Sequence, residues 1–255
     1  MLSIDLSGRV ALVTGASGQL GRVMARTLAA AGADVALHYL SNEADARRFA
    51  GDVEAAGRRS AVVQADVGDL ESVRAMGAAV RAALGDPDIV VTNAMSRIPG
   101  WKTVLEQPVE DYENQFRACV LHNVNAAKVF VPAMAARGWG RIIGINTECA
   151  MQLKASQSAY GAAKRGMDGV LKVLAREVGR SGITVNEVAP GWTVSDRDRE
   201  QGTERHAEYE AAVPLGRRGT DQEIANVVAF LASDLASFIT GAYVPVSGGN
   251  VMPAI

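Results

Sequence analysis

Short apolar runs rich in β-branched residues alternate along the chain with longer stretches in which apolar residues recur every three or four positions. The first pattern predicts strands and the second predicts helices. We expect strands over residues 9–14, 34–39, 60–65, 88–92, 141–146, 184–188 and 243–246. We expect helices over residues 22–31, 42–56, 70–84, 109–136, 158–180 and 221–233, the fourth of them broken or bounded near Pro132.

This alternation predicts an α/β fold, because parallel strands are joined by helical crossovers that cover the sheet. We therefore expect a doubly wound, mostly parallel sheet of about seven strands with helices on both faces. No repeat, low-complexity linker or break in composition divides the chain, so residues 1–255 are predicted to form a single domain. Ligands of such folds bind beyond the carboxyl ends of the strands.

Composition and charge limit the classes of function. With 255 residues, of which 48% are hydrophobic, the chain can bury one large core. A formal net charge of −2 provides no basic surface for a nucleic acid, so no nucleic-acid partner is expected. No apolar stretch reaches the roughly 20 residues that span a bilayer, and the N-terminus lacks the features of a signal peptide. The sequence thus predicts a soluble cytoplasmic protein without a membrane partner.

Cysteines and histidines are few and scattered. The two cysteines, Cys119 and Cys149, and the three histidines at positions 38, 122 and 206 offer no metal-ligand spacing. We expect thiols that are buried or line a cleft, no disulfide framework and no metal site.

Three glycines, Gly15, Gly18 and Gly21, lie between the first predicted strand and the first predicted helix. A glycine-rich turn in this position lets backbone N–H groups approach a pyrophosphate, which also lies at the positive end of the helix dipole. The turn therefore predicts nucleotide binding.

Tyr160 and Lys164 stand four residues apart in a predicted helix, so their side chains share one face. A phenol titrates near pH 10, so exchanging a proton at pH 7 requires its pKa to fall by roughly three units, about 4 kcal/mol of electrostatic help. A nearby ammonium and the positive ring of an oxidised nicotinamide would supply that help. The pair thus predicts a proton donor and acceptor.

Six motifs resemble, in order, those of the compact short-chain dehydrogenase/reductase family, particularly its 3-oxoacyl-carrier-protein-reductase-like members. They are Thr14-Gly15 to Gly21, Asp66-Val67, Asn93-Ala94, Tyr160-x-x-x-Lys164, Pro190-Gly191, and Ile239-Thr240-Gly241 with Val246-Ser247-Gly248-Gly249. The resemblance covers the chain from about residue 8 to residue 249. It implies a Rossmann-type fold, NAD or NADP as cofactor, and hydride transfer between the nicotinamide and a carbonyl or alcohol substrate.

The resemblance also assigns catalytic roles. Tyr160 resembles the general acid/base, and Lys164 resembles the residue that lowers its pKa and holds the nicotinamide ribose. Thr147 stands where the family usually has a serine that polarises the substrate carbonyl, and its hydroxyl has the same donor and acceptor capacity. Asp66 resembles the residue that bonds the adenine. The implied cofactor-binding set is Gly15, Ser17, Gln19, Leu20, Gly21, Tyr39, Ser41, Asn42, Asp66, Val67, Asn93, Ala94, Tyr160, Lys164, Pro190, Gly191 and Thr193.

Three positions depart from the family pattern. Gln19 occupies the middle glycine of the turn, and Met95 replaces the glycine of the Asn-Ala-Gly motif. Cys119 aligns with a catalytic asparagine that is thought to act through its backbone carbonyl, which a cysteine retains. Asn123, one turn later on the same face, is the alternative equivalent of that asparagine.

Cofactor choice depends on the end of the second predicted strand, where an acidic residue would bond the ribose 2′-hydroxyl and repel a 2′-phosphate. Residues 38–42 contain no acid, and the first carboxylate is Glu43. The sequence therefore favours NADP, with NAD as the alternative. Ser41 has a second interpretation, as the N-cap of the next helix.

The resemblance implies a mobile substrate lid over residues 191–213 and a homotetramer or homodimer. The implied substrate residues are Met95, Trp101, Met151 and Trp192. Two other functions remain as alternatives: a nucleotide-binding regulatory or scaffold protein with weakened catalysis, and a lyase or dehalogenase that uses the site without hydride transfer.

Overall fold

A computed structural model of the chain, which describes residues 3–253, contains a seven-stranded sheet in the order β3-β2-β1-β4-β5-β6-β7. Every pair of neighbouring strands is parallel. The strands are β1 (Val10–Val13), β2 (Asp34–Tyr39), β3 (Ser60–Gln64), β4 (Ile89–Thr92), β5 (Gly140–Ile145), β6 (Ile183–Pro190) and β7 (Tyr243–Val246). The predicted doubly wound sheet is thereby confirmed.

Ten α-helices lie among the described residues. They are α1 (Gln19–Ala30), α2 (Glu43–Ala55), α3 (Leu70–Ala83), α4 (Val109–Phe116), α5 (His122–Arg137), α6 (Cys149–Gln152), α7 (Ser158–Val178), α8 (Asp196–Gln201), α9 (Ala207–Ala212) and α10 (Asp221–Ala232). None of the helices described within residues 3–253 has the length and apolarity needed to cross a bilayer.

Each face of the sheet carries its own apolar core. On β1, Ala11 and Val13 pack with α1 and α10 on one face, while Val10 and Leu12 pack with α3, α5 and α7 on the other. This division follows from the alternation of side chains along a strand. The order of strands reverses between β1 and β4, so the cleft expected in such folds opens beyond the carboxyl ends of these two strands.

The predicted long helix breaks at a different place from the one expected. A π-helical turn at Arg117–Leu121 separates α4 from α5, whereas Pro132 lies inside α5. Pro132 and Lys128 are both exposed, so water can reach the carbonyl of Lys128 that the proline leaves without its usual N–H donor. The prediction of a break near Pro132 was therefore wrong.

The segment 191–213, for which the sequence predicts neither a helix nor a strand, contains two short helices, α8 and α9. A capping box starts α8, with the Ser195 side chain accepting from the N–H of Asp198 and the Asp198 side chain accepting from the N–H of Ser195. The ring of His206 accepts the N–H of Tyr209 at the start of α9. Caps of this kind stabilise helices too short and polar to show apolar periodicity, which explains why the pattern missed them.

Candidate active site

The glycine-rich turn joins β1 to α1 at the cleft. Gly15 has a φ of +65°, and a Cβ on Gly21 would lie 2.2 Å from the Gly15 carbonyl oxygen, so both positions require glycine. No side chain caps the N-terminus of α1, and its first turn contains no acidic residue. The positive end of this helix is therefore free for an anionic diphosphate. The sequence predicts that Ser17, Gln19 and Leu20 bind it there.

His38, to which the sequence analysis assigned no role, holds this turn through a hydrogen bond. Its Nδ1 accepts the N–H of Gly15 at 2.9 Å, and its Nε2 lies 3.0 Å from the carbonyl oxygen of Ala65. Nε2 must then carry the proton, since a carbonyl oxygen only accepts. Burial lowers the pKa of His38, which favours this neutral form.

Thr14 and Asn93 join the ends of β1 and β4. The Thr14 hydroxyl accepts the N–H groups of Asn93 and Ala94 at 2.8 and 3.0 Å, and Asn93 Nδ2 donates to the Thr14 carbonyl at 2.9 Å. A Cβ on Gly15 would lie 2.9 Å from the Cα of Ala94, so the turn and this wall are in close contact. The predicted residues Asn93 and Ala94 therefore line the same cleft as the turn.

The end of β2 carries the residues predicted to select the cofactor. The Tyr39 hydroxyl lies near Glu43, which contributes to raising its pKa after burial, and the Glu43 carboxylate pairs with Arg47 at 2.6 Å. Asn42 is the N-cap of α2, its Oδ1 accepting the N–H of Asp45 at 3.1 Å. The interpretation of Ser41 as the N-cap was wrong, because the longer Asn42 side chain at the next position reaches the first turn of the helix.

Asp66 and Val67 follow β3 at the same edge. The Asp66 carboxylate accepts the N–H of Gly68 at 2.8 Å and remains half exposed beside Arg117 at 3.7 Å. The carbonyl of Val67 accepts Nδ2 of the buried Asn125 at 3.0 Å. These bonds fix the backbone and leave part of the Asp66 carboxylate available to a ligand.

Thr147 and Tyr160 lie close together at the carboxyl end of β5, where the Thr147 side chain partly offsets the effect of burial on the Tyr160 pKa. The Thr147 carbonyl accepts the hydroxyl of Tyr243 at 2.5 Å, and the Thr147 hydroxyl accepts the N–H of Cys149 at 3.3 Å. Tyr160 is buried on α7, and burial raises the pKa of its phenol. In the protein alone the tyrosine therefore keeps its proton.

Lys164 lies on the same face of α7, but its buried ammonium donates to the Ile145 carbonyl at 2.6 Å. The expected lowering of the Tyr160 pKa is absent in the protein alone, because burial raises it. The lysine nevertheless ties α7 to the last residue of β5, two residues before Thr147.

The π-helical turn places Cys119 and Asn123 together. The Cys119 carbonyl accepts Asn123 Nδ2 at 2.7 Å, and Asn123 Oδ1 accepts the hydroxyl of Thr92 at 2.7 Å. Both residues are buried. The wider π-helical turn removes the Cys119 carbonyl from the regular helical hydrogen bonding, and the side-chain amide of Asn123 donates to this carbonyl instead.

Aromatic and apolar side chains that are partly exposed follow the ends of β4, β5 and β6, at the edge of the sheet where Tyr160 lies. The ring of Trp101 lies 6.3 Å from that of Tyr160, and half of its surface is exposed. Trp192 follows β6 and packs edge-on against Tyr209 at 5.4 Å. Met95 is half exposed after Ala94, and Met151 lies partly buried on α6.

The segment 191–213 packs against both sides of the cleft. Pro190 ends β6 and its carbonyl accepts the N–H of Glu148 at 2.9 Å, while the hydroxyl of Thr193 donates to the Gly191 carbonyl at 3.1 Å. On the other side, Gln19 Nε2 donates to the Val194 carbonyl at 2.8 Å. The sequence did not predict these contacts, since nothing in a linear pattern brings position 19 to position 194.

Gln19 and Arg22 both reach this segment from α1. Gln19 Oε1 accepts the N–H of Asp196 at 3.1 Å, and Arg22 Nη2 pairs with the Asp196 carboxylate at 2.7 Å. The residue that replaces a glycine of the turn thus bonds to the start of α8 through both atoms of its amide.

The sheet is doubly wound and all parallel, and its glycine turn precedes a helix with no side-chain cap. Beside this turn, a threonine and a tyrosine lie near a lysine. These features define a class of dinucleotide-binding oxidoreductases. Comparisons with known proteins specify the family. A family model described as enoyl-(acyl carrier protein) reductase matches residues 15–250. The 3-oxoacyl-[acyl-carrier-protein] reductase of Pseudomonas aeruginosa is 38% identical over 249 residues, which cover 98% of this chain and all of that protein.

Two further relatives carry other names. An NADPH-dependent aldehyde reductase-like chloroplastic protein of Arabidopsis thaliana is 33% identical, with 97% of this chain and 96% of that protein covered. The crystal structure of acetoin dehydrogenase from Enterobacter cloacae superposes with a TM-score of 0.87 at 31% identity and 96% coverage of both chains. The chain belongs to the short-chain dehydrogenase/reductase family, and it is an oxidoreductase that acts on C=O or CH–OH groups.

Proposed function

We propose that this enzyme transfers a hydride between NADP(H) and a carbonyl or secondary alcohol, with Tyr160 as general acid/base. The observation that carries the proposal is the meeting of the Thr147 hydroxyl and the Tyr160 phenol at the end of β5. These two groups can hydrogen-bond one substrate oxygen together, beside the cleft formed by the glycine turn and Asn93. A bound NADP(H) would supply or accept the hydride.

In the reducing direction, Thr147 donates to the carbonyl oxygen and Tyr160 transfers its proton to it. Burial raises the pKa of Tyr160, so the phenol is protonated before the reaction, as reduction requires. In the oxidising direction the phenol must first lose this proton. The ammonium of Lys164, one turn away on α7, and the positive charge of an oxidised nicotinamide would both favour the phenolate.

The residues present fit a dinucleotide. The uncapped N-terminus of α1 would hold the diphosphate through the backbone of Ser17, Gln19 and Leu20. Asp66 would bond the adenine, and Pro190, Gly191 and Thr193 would contact the nicotinamide end. Lys164 would hold the nicotinamide ribose after leaving the Ile145 carbonyl.

The preference for NADP is supported by the absence of an acidic residue at the end of β2 and by the name of the Arabidopsis relative, which is described as NADPH-dependent. Glu43 approaches this region through Tyr39, but its charge is paired with Arg47. Fluorescence titration with each reduced cofactor tests the preference. We expect tighter binding of NADPH, and tighter binding of NADH would reverse the assignment.

Turnover tests the reaction itself. A panel of carbonyl and alcohol substrates, followed by nicotinamide absorbance, should reveal activity that Tyr160→Phe lowers by about 10²–10⁴-fold, because only the transferable proton is removed. Cofactor affinity should change little, since the ring remains. A variant that keeps most of the wild-type rate would remove Tyr160 from the mechanism.

We also propose that residues 191–213 act as a substrate lid and that the enzyme assembles as a homodimer or homotetramer. An apolar groove on the outer face of α4 and α7 supports the second proposal. It is lined by Tyr112, Glu113, Phe116, Arg117, Ala159, Ala162 and Ala163. A second copy of the chain would cover this groove.

A further inference from the structure

Glu148 is a buried carboxylate beside the catalytic hydroxyl that the proton transfer does not use. It follows Thr147 directly, and 5% of its surface is exposed. Its Oε1 accepts the hydroxyl of Tyr209 at 3.0 Å, and its Oε2 accepts Nδ2 of Asn250 at 2.8 Å. Burying a charge is unfavourable unless hydrogen bonds compensate it, and here both oxygens have a donor. Glu148 therefore connects three segments: its own segment after β5, the proposed lid with Tyr209, and the C-terminal segment with Asn250.

Tyr209 extends this connection to Trp192. Its hydroxyl donates to Glu148 and accepts the backbone N–H of Trp192 at 2.8 Å. Burial raises the pKa of Tyr209 to about 12, so the phenol keeps the proton that it donates throughout the neutral range. The ring of Tyr209 also packs edge-on against the indole of Trp192.

The three segments meet at Gly191 without spare room. A Cβ at this position would lie 2.7 Å from the Tyr209 hydroxyl, 3.1 Å from Glu148 Oε2 and 2.9 Å from the Cα of Ser247. Trp192 comes directly after this crowded point. Its backbone is therefore held by the bonds that Glu148 and Tyr209 make, while its indole also packs against His206 and Arg218.

We propose that Glu148 is a positioning residue: through Tyr209 it holds the lid so that Trp192 lies beside the opening to Tyr160. The inference rests on the proposed function, because it concerns the same site. An indole held in this way offers an apolar face to the part of the substrate that extends away from the reacting carbon. Releasing it weakens substrate binding and leaves the Thr147–Tyr160 pair in place.

Fluorine NMR of the intact enzyme, labelled with 5-fluorotryptophan, tests the position of Trp192 without any substrate. The chain has three tryptophans, and Trp192→Phe assigns the relevant signal. We expect Tyr209→Phe and Glu148→Gln to shift or broaden that signal. Glu208→Gln, at an exposed position on α9 next to Tyr209, is the matched control and should leave it unchanged.

A rescue separates positioning from general destabilisation. In Glu148→Gln the new amide can still accept from Tyr209, but its nitrogen then faces the amide nitrogen of Asn250. Adding Asn250→Asp restores a donor and an acceptor at this contact. We expect the double variant to recover the wild-type Trp192 signal, which the single variant loses.

Kinetics provide the second readout. Tyr209→Phe and Glu148→Gln should raise the KM of the substrate by roughly three- to tenfold, while kcat and the dissociation constant of the cofactor change less than about twofold. Trp192 signals that stay unchanged in both variants would overturn the positioning role and leave the proposed reaction standing. Shifted and rescued signals in an enzyme that turns over none of the panel would support the positioning role and defeat the proposed reaction instead.

Discussion

Asn123 holds the carbonyl of Cys119 where the long helix opens into its π-helical turn. The sequence placed Cys119 in the role of a catalytic asparagine and kept Asn123 as an alternative, and the structure brings both to one hydrogen bond. Within residues 3–253 the side chain of Cys119 makes no described hydrogen bond. The contact that Cys119 provides to Asn123 therefore comes from its backbone carbonyl. The cysteine that stands in place of the family's asparagine thus leaves the carbonyl available.

We expect Asn123→Ala to lower kcat by roughly tenfold, because it removes two buried hydrogen bonds worth about 1 kcal/mol each, and part of this loss reaches the barrier. Cys119→Ala should stay within about twofold of the wild type. Steady-state kinetics with saturating cofactor measure both. A collapse of activity in Cys119→Ala with the cofactor still bound would instead give the thiol a chemical role.

Sequence reasoning could propose Thr147, Tyr160 and Lys164 because each stands at a fixed spacing within the motifs that resemble the family's. It missed Glu148 and His38, whose functions depend on contacts with residues 61 and 23 positions away. It also predicted a lowered Tyr160 pKa from the nearby ammonium, whereas the depth of burial, which spacing does not reveal, dominates in the protein alone.

At the scale of elements, the strands were predicted to within about two residues because buried parallel strands are continuous apolar runs. The helices α6, α8 and α9 and the π-helical turn escaped prediction. Their bounds are set by caps and by single hydrogen bonds, which leave no apolar period in the sequence.

The contact between β2 and the glycine turn makes stability depend on pH. Burial lowers the pKa of His38, and it lowers the pKa of His122 to about 3. An unfolded histidine titrates near pH 6.5, so below this pH the unfolded chain binds more protons than the folded one. As the pH is lowered below about 6.5, the free energy of unfolding should then decrease by up to about 1.4 kcal/mol per pH unit for each histidine.

Urea unfolding at about pH 7.5 and pH 5 measures this dependence. His38→Gln should reduce it, because a glutamine amide can accept from Gly15 and donate to Ala65 without titrating. Carboxylates contribute equally to both proteins, so the difference between them isolates the histidine. Identical losses of stability in the two proteins would contradict the assignment.

The packing of β6 against α7 has the opposite pH dependence. Glu187 is buried on β6, accepts from Asn146 and faces Asp168, which pairs with Lys172 at 2.9 Å, while Tyr243 lies nearby. Burial, and then the neighbouring Asp168, raise the pKa of Glu187. The folded chain therefore holds this proton above pH 4.5, where the unfolded chain has lost it, and the stability contributed falls as pH rises.

Glu187→Gln should stabilise the protein at pH 8 by about 1 kcal/mol or more, and by less at pH 5. The amide keeps the acceptor for Asn146 and adds a donor towards Asp168. Thermal or urea unfolding at both pH values measures the effect. Equal destabilisation at both would show that the carboxyl group does not carry a raised pKa.

At the scale of the whole molecule, the groove between α4 and α7 is mainly apolar where it reaches the surface. Phe116 is 49% exposed there, beside the exposed Ala162, while Ala159 and Ala163 are buried at the same groove and Glu113 and Arg117 complete its lining. Contiguous apolar surface of this kind is typical of an interface. We expect Phe116→Arg to lower the mass measured by light scattering to that of a smaller assembly. Leu105→Arg, at an exposed leucine outside this groove, should leave the mass unchanged, and a wild-type monomer would defeat the proposed assembly.

The bonds from Gln19 to Val194 and Asp196 have a consequence for the order of events in a catalytic cycle. A dinucleotide lying on the N-terminus of α1 would be enclosed between that helix and α8, so it can be exchanged only when these bonds open. A carbonyl compound entering beside Trp192 is under no such restriction. We expect the dinucleotide to bind first and leave last, with its departure limiting the rate. Product-inhibition patterns measure this order, and Gln19→Gly should accelerate departure of the dinucleotide in stopped-flow fluorescence.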